Sequence, residues 1–131
     1  MSVRPVEAGS IKVGSFIVID NEPCKVVEVT KSKPGKHGSA KARIVAIGVF
    51  DNVKRSIVVP TGASVNVPEI RKLSAQVLAM TGNSIQLMDL STYEVYEVPL
   101  PSDEDLRKRL APGIEVEVWD IMGRRKIMRT K

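Results

Sequence analysis

The stretch Pro101-Ser102-Asp103-Glu104-Asp105-Leu106-Arg107-Lys108-Arg109-Leu110-Ala111-Pro112-Gly113 is the only convincing helix signal in the sequence. Ser102 stands as a capping residue before three acids, which suit the positive end of a helix dipole. Leu106 and Leu110 lie four apart, on one helical face. Arg107, Lys108 and Arg109 suit the negative end, and Ala111-Pro112-Gly113 stops the run. Everything around this stretch has strand spacing. Before it, Lys72 to Met80, Ser84 to Asp89 and Tyr93 to Val98 read as strands, with Thr81-Gly82-Asn83 as a tight turn. After it, Ile114 to Trp119 alternates, with Ile114, Val116 and Val118 on one face and Glu115, Glu117 and Trp119 on the other. Asp120 to Gly123 turns into a last strand from Arg125 to Arg129. Three strands, one helix and two strands make the order of an OB-fold barrel.

The first half holds short runs rich in Val and Ile: Phe16 to Ile19, Cys24 to Thr30, Arg43 to Phe50, Ser56 to Val59 and Ala63 to Val67. Asp20 to Pro23 and Asp51-Asn52 are turns. This pattern predicts a small SH3-like barrel. Pro68 cannot continue a central strand, so the halves divide there. The expected architecture is mainly β, with an SH3-like domain over residues 1–69 and an OB-fold domain over residues 70–131.

Composition narrows the function. The 131 residues carry 20 Lys+Arg against 15 Asp+Glu, a net charge of +5, which favours a polyanionic partner. No apolar run is long enough to span a membrane, and the start lacks the apolar core of a signal peptide. One cysteine, Cys24, rules out an internal disulfide and favours a reducing compartment; it reads as a plain buried residue. One histidine, His37, leaves no zinc site built from His and Cys. Only five aromatics are present, and Tyr93 and Tyr96 have opposite parity on their strand. That argues against a stacking platform for single strands.

The basic residues are not spread evenly. Residues 29–50 contain no acid but hold Lys31, Lys33, Lys36, Lys41 and Arg43. Within them, Lys31 to Ala42 forms a predicted loop of twelve residues, well beyond the about two to five usual for a hairpin. Pro34-Gly35 suits the centre of a type II turn, Gly38 gives a second permissive site, and Lys36 lies between the glycines. A Walker phosphate loop is excluded, because its pattern is missing and no helix follows. His37 as a catalytic base has no nearby carboxylate to orient it. The remaining readings are a bare solvated hairpin, or a lysine presented to an anion or to a modifying enzyme.

The run Lys33-Pro34-Gly35-Lys36-His37-Gly38-Ser39-Ala40-Lys41 resembles the modification loop of the translation factor 5A family, whose bacterial relative is elongation factor P. The resemblance extends over both halves of the chain, and its details look archaeal. In that family the lysine between the glycines becomes hypusine, an aminobutyl group from spermidine being transferred by deoxyhypusine synthase and then hydroxylated. The resemblance implies Lys36 as the modified residue, with Lys33, Pro34, Gly35, His37, Gly38, Ser39 and Lys41 as its loop. Pro34 and Ser39 replace the Thr and His common in eukaryotic members, so the product can stop at deoxyhypusine. It also implies a cytoplasmic, non-enzymatic translation factor with no metal or separate cofactor. Its partners are the ribosome with its rRNA and the peptidyl-tRNA; neither membrane nor DNA is expected. It promotes peptide-bond formation at poor substrates such as consecutive prolines. Lys31, Lys33, Lys41, Arg43, Lys54, Arg55, Arg124, Arg125 and Lys126 are the candidate RNA contacts. The competing reading is a general OB-type RNA-binding or RNA-chaperone protein that uses unmodified basic residues.

Overall fold

The computed structural model describes residues 3–32 and 40–131. The chain forms two compact units, Met1–Glu69 and Ile70–Lys131.

The first unit is one six-stranded antiparallel sheet. Its elements are β1 (Val3–Glu7), a 3-10 turn (Ala8–Ser10), β2 (Phe16–Ile19), β3 (Glu22–Ser32), β4 (Lys41–Gly48), β5 (Lys54–Pro60) and β6 (Ser64–Pro68). They lie in the order β1-β6-β2-β3-β4-β5. Ile17, Cys24, Val26, Ala42, Ile44 and Ala46 fill the core, with the 3-10 turn contributing Ala8. The hairpin between β2 and β3 turns on Asp20 and Asn21, both left-handed, as a two-residue turn of matching twist requires.

Four local readings of the sequence need correction. The expected set of strands omits β1, which contains Pro5. The strand is at the sheet edge, where a missing amide donor is tolerated. Strands β3 and β4 also run further than predicted, and pair as far as Ser32 with Lys41. Nothing in Lys31, Ser32, Lys41 or Ala42 interrupts pairing, and Ala42 is fully buried. The stretch between the paired residues is therefore shorter than the predicted loop.

The other two corrections belong to the second unit. It contains β7 (Ile70–Thr81), β8 (Ser84–Asp89), β9 (Val95–Pro99), α1 (Glu104–Lys108), β10 (Glu115–Ile121) and β11 (Arg124–Thr130). The sheet order is β11-β10-β7-β8-β9, and β9 approaches β11 to close the barrel. This is the OB arrangement, with α1 between its third and fourth strands. The helix cap is Asp103 and not Ser102: the Asp103 carboxylate accepts the Leu106 amide at 3.2 Å. Leu106 and Leu110 pack on a core of Val77, Ile85, Leu87, Val116, Val118 and Ile127. Strand β9 begins two residues later than predicted. Asp89 accepts the Ser91 and Thr92 amides at 2.7 and 2.9 Å, and Tyr93 turns left-handed. That local cap competes with strand pairing. No helix among the described residues is long and apolar enough to cross a membrane.

Candidate functional site

Strands β3 and β4 form a long hairpin, and its far end is where residues 33–39 are inserted. Lys33, Pro34, Gly35, Lys36, His37, Gly38 and Ser39 lie outside the described residues. The hairpin that carries them is paired as far as Ser32 on one strand and Lys41 on the other.

Strand alternation sorts the neighbouring basic residues onto two faces. One row across β3, β4 and β5 is Lys25, Ile47 and Lys54; others are Thr30, Arg43 and Val58, and Ser32, Lys41 and Pro60. These rows share the face away from the core. Lys25, Lys41, Arg43 and Lys54 are all exposed on it. Its acid on these strands is Glu28, 3.9 Å from Arg43 and itself exposed. An ion pair of that length in water neutralises little. This face is a cationic strip that leads to the loop.

Lys31 and Arg55 belong to the other face, since they pair with core residues Ala42 and Ala46. The Lys31 ammonium donates to the Gly9 carbonyl at 2.6 Å. Arg55 donates to both carboxylate oxygens of Asp51, at 3.1 and 2.8 Å, and Asp51 also accepts the Val53 amide at 3.0 Å. These donors hold the Asp51 carboxyl down at about 2, the Arg55 hydrogen bonds acting most strongly. Burial pushes the nearby Cys24 thiol up, and Arg55 partly opposes it. Cys24 is a buried free thiol.

The three basic candidates of the second unit also differ from one another. Arg124 is exposed beside the left-handed turn at Met122 and Gly123. Arg125 is engaged: its guanidinium meets Glu94 at 2.7 Å and Asp120 at 3.4 Å, and stacks over the Tyr96 ring at 4.3 Å. Lys126 is half-buried, and burial lowers its pKa. An open pocket of about 610 Å³ lies next to Arg125, lined by Arg71, Lys72, Ser74, Asp89 and Glu94 among others. Arg71 reaches Asp120 at 3.2 Å, so the cations of this pocket are matched by acids. Lys72 sits 5.1 Å above the buried Trp119 ring.

Lys25 is the strip residue that sequence reasoning missed. Its signal is the alternation along β3, but a bulge between Val26 and Glu28 shifts the parity. Among the described residues no group of three or more His, Cys, Asp or Glu side chains could hold a metal. The outer face of this hairpin carries the charge to meet a polyanion.

Comparison with known proteins gives two family matches along the chain. Residues 2–63 match the family model "Translation initiation factor 5A-like, N-terminal", and residues 69–131 match "Eukaryotic elongation factor 5A hypusine, DNA-binding OB fold". The chain is similar to translation initiation factor 5A of Thermofilum pendens, 65% identical over 131 residues, covering 100% of this chain and 99% of the relative. The Caldivirga maquilingensis protein of the same name is 61% identical and fully covered on both sides. Among solved structures, factor 5A from Methanococcus jannaschii superposes with a TM-score of 0.91 at 46% identity, covering 99% of this chain and 96% of that one. A Naegleria fowleri family member gives a TM-score of 0.79 at 34% identity, covering 100% and 99%. The chain belongs to the translation initiation factor 5A family, whose model over the second unit carries the hypusine designation.

Proposed function

We propose that this protein binds the ribosome beside the peptidyl-tRNA and promotes peptide-bond formation at poor substrates, through an aminobutyl-extended Lys36. The observation that carries this reading is the hairpin of β3 and β4. In sequence, Gly35-Lys36-His37-Gly38 fall between its last paired residues, Ser32 and Lys41, and its outer face is a cationic strip. A plain lysine has one charge on a four-carbon stem. Aminobutylation by deoxyhypusine synthase, with spermidine as donor, roughly doubles the reach and adds a second amine. The product is a slender cation that can enter an RNA-walled cleft too narrow for a protein surface.

Lys25, Lys41, Arg43 and Lys54 neutralise rRNA phosphates and set the orientation of the first unit, without reading sequence. The extended Lys36 then holds the acceptor end of the peptidyl-tRNA in reactive geometry. That removes part of the entropic barrier for consecutive prolines. The protein contributes position and charge, and no acid, base or nucleophile. The setting is the cytoplasm. Arg124 adds a contact from the second unit, while Arg125 and Arg55 serve their own units.

A reconstituted translation assay on a message encoding consecutive prolines tests the reading. Protein aminobutylated at Lys36 relieves the stall, whereas unmodified protein and the Lys36→Arg variant do not. Equal relief by all three would assign the effect to ordinary basic residues.

A further inference from the structure

The Lys31 hydrogen bond closes a chain of contacts around the root of the Lys36 segment. The Thr61 amide donates to the Ala40 carbonyl at 2.9 Å. The Gly9 amide donates to the Thr61 carbonyl at 2.8 Å. The Gly9 carbonyl in turn accepts the Lys31 ammonium at 2.6 Å. Lys31 stands on β3 just before the inserted segment, and Ala40 stands just after it. Both sides of the root are therefore tied to one backbone unit, formed by the 3-10 turn and the turn after β5.

The local geometry supports a built contact and not a chance one. A Cβ placed on Gly9 would come within 3.1 Å of Thr61 Cβ and 3.2 Å of its carbonyl oxygen, so the two backbones touch as closely as glycine allows. Lys31 comes from the core face of the hairpin, opposite Lys41 and Arg43. Its hydrogen bond spans 22 positions in sequence and joins β3 to the 3-10 turn. A hydrogen bond whose donor is charged is stronger than one between neutral groups.

We propose that Lys31 is a positioning residue: with Gly9 and Thr61 it clamps both sides of the segment that carries Lys36, so that the lysine is offered to its modifying enzyme from a fixed base. This rests on the reading of Lys36 as the aminobutyl acceptor. Hairpin ends fray readily, because their last pairs are bounded by solvent. Fraying of the Ser32–Lys41 pair multiplies the directions in which the root of the hairpin points. Only some of these suit entry to an enzyme's tunnel, and apparent affinity falls by that fraction. The clamp therefore acts on KM for the protein substrate and leaves kcat alone.

The test uses the full chain with Lys31→Met, which keeps the stem, and Lys31→Arg, which keeps the charge and a donor. Two quantities are measured on each: amide hydrogen exchange at Gly9 and Thr61, and kcat and KM for aminobutyl transfer from spermidine by purified deoxyhypusine synthase. Lys31→Met is expected to speed exchange at both amides by about tenfold, the effect of losing one hydrogen bond. It is expected to raise KM by roughly three- to tenfold with kcat unchanged. Lys31→Arg restores both. Unchanged KM and unchanged exchange in Lys31→Met would overturn the proposal, as would faster exchange that extends equally to the core amide of Ile44. If the wild-type chain accepts no aminobutyl group, the acceptor reading fails, and the exchange at Gly9 and Thr61 still decides whether Lys31 forms the clamp.

Discussion

Arg55 grips Asp51 through both carboxylate oxygens, four positions apart, and so closes the turn between β4 and β5. Asp20 lies 3.9 Å from the same guanidinium. The pair anchors the edge strand of the first unit, two strands away from the β2–β3 hairpin that holds Asp20.

This pair makes the first unit sensitive to acid. The Asp51 carboxyl is held at about 2 in the fold, below its ordinary value of 3.8. A depressed carboxyl stabilises the fold fully above its unfolded value, and the contribution fades as pH falls through the folded value. The loss therefore falls between about pH 4 and about pH 2. Asp89, lowered mainly by the Thr92 and Ser91 amides, adds loss of the same sign in the second unit. Thermal melts against pH check this. The wild-type chain and Asp51→Asn are expected to differ at pH 7 and to converge near pH 2.

Gly48 is required by the same pair. A Cβ there would overlap the Asp51 carboxylate and press on Arg55. Since Asp51 is pinned from two sides, it cannot yield without losing partners. Gly48→Ala is expected to cost about 1–3 kcal/mol, as overpacking does. Calorimetry on the single variant checks this, and Gly48→Ala combined with Asp51→Ala is expected to show a smaller added loss than the two variants summed.

Arg125 ties neighbouring elements of the second unit together. It links β11 to Glu94 in the β8–β9 loop and to Asp120 on β10, and covers Tyr96 on β9. Arg125→Met keeps most of the stem and removes the fork. A loss of about 1–2 kcal/mol is expected from the cation–π and charge-assisted contacts together. Arg125→Lys is expected to recover little, because it lacks the planar fork. Denaturant melts followed by Trp119 fluorescence report on this unit.

The cationic strip predicts a salt signature. Each phosphate that the protein no longer neutralises lowers the slope of log affinity against log salt by roughly 0.7–0.9. Replacing Lys41, Arg43 and Lys54 together with Gln is expected to lower the slope of ribosome binding by about 2–3. Replacing Lys31, on the opposite face, is expected to leave the slope unchanged. Equal changes in the two variants would contradict the facial assignment.

The second unit was legible because its elements announce themselves. The acids at 103–105, the leucines at 106 and 110 and the stop at Pro112-Gly113 bracket a helix that the structure contains, displaced by one residue at its cap. Strand β1 went unread; it contains Pro5, whose tolerance depends on the strand's edge position, a tertiary fact. At the candidate site, composition located the basic segment but could not sort its faces. Lys54 and Arg55 precede the strand expected from Ser56 and are expected on one surface; β5 instead starts at Lys54, so the two neighbours face opposite sides. Lys31 was different. Its partner Gly9 lies 22 positions earlier, and its face depends on a register that the bulge after Val26 obscures.

The central claim is that Lys36 carries an aminobutyl group. Peptide mass spectrometry across Lys36, on protein purified from its native source, tests it most directly. The predicted result is the mass of one added aminobutyl group, with or without one oxygen, at high occupancy. A bare lysine at full occupancy would contradict the account and leave a basic OB protein that acts through unmodified side chains.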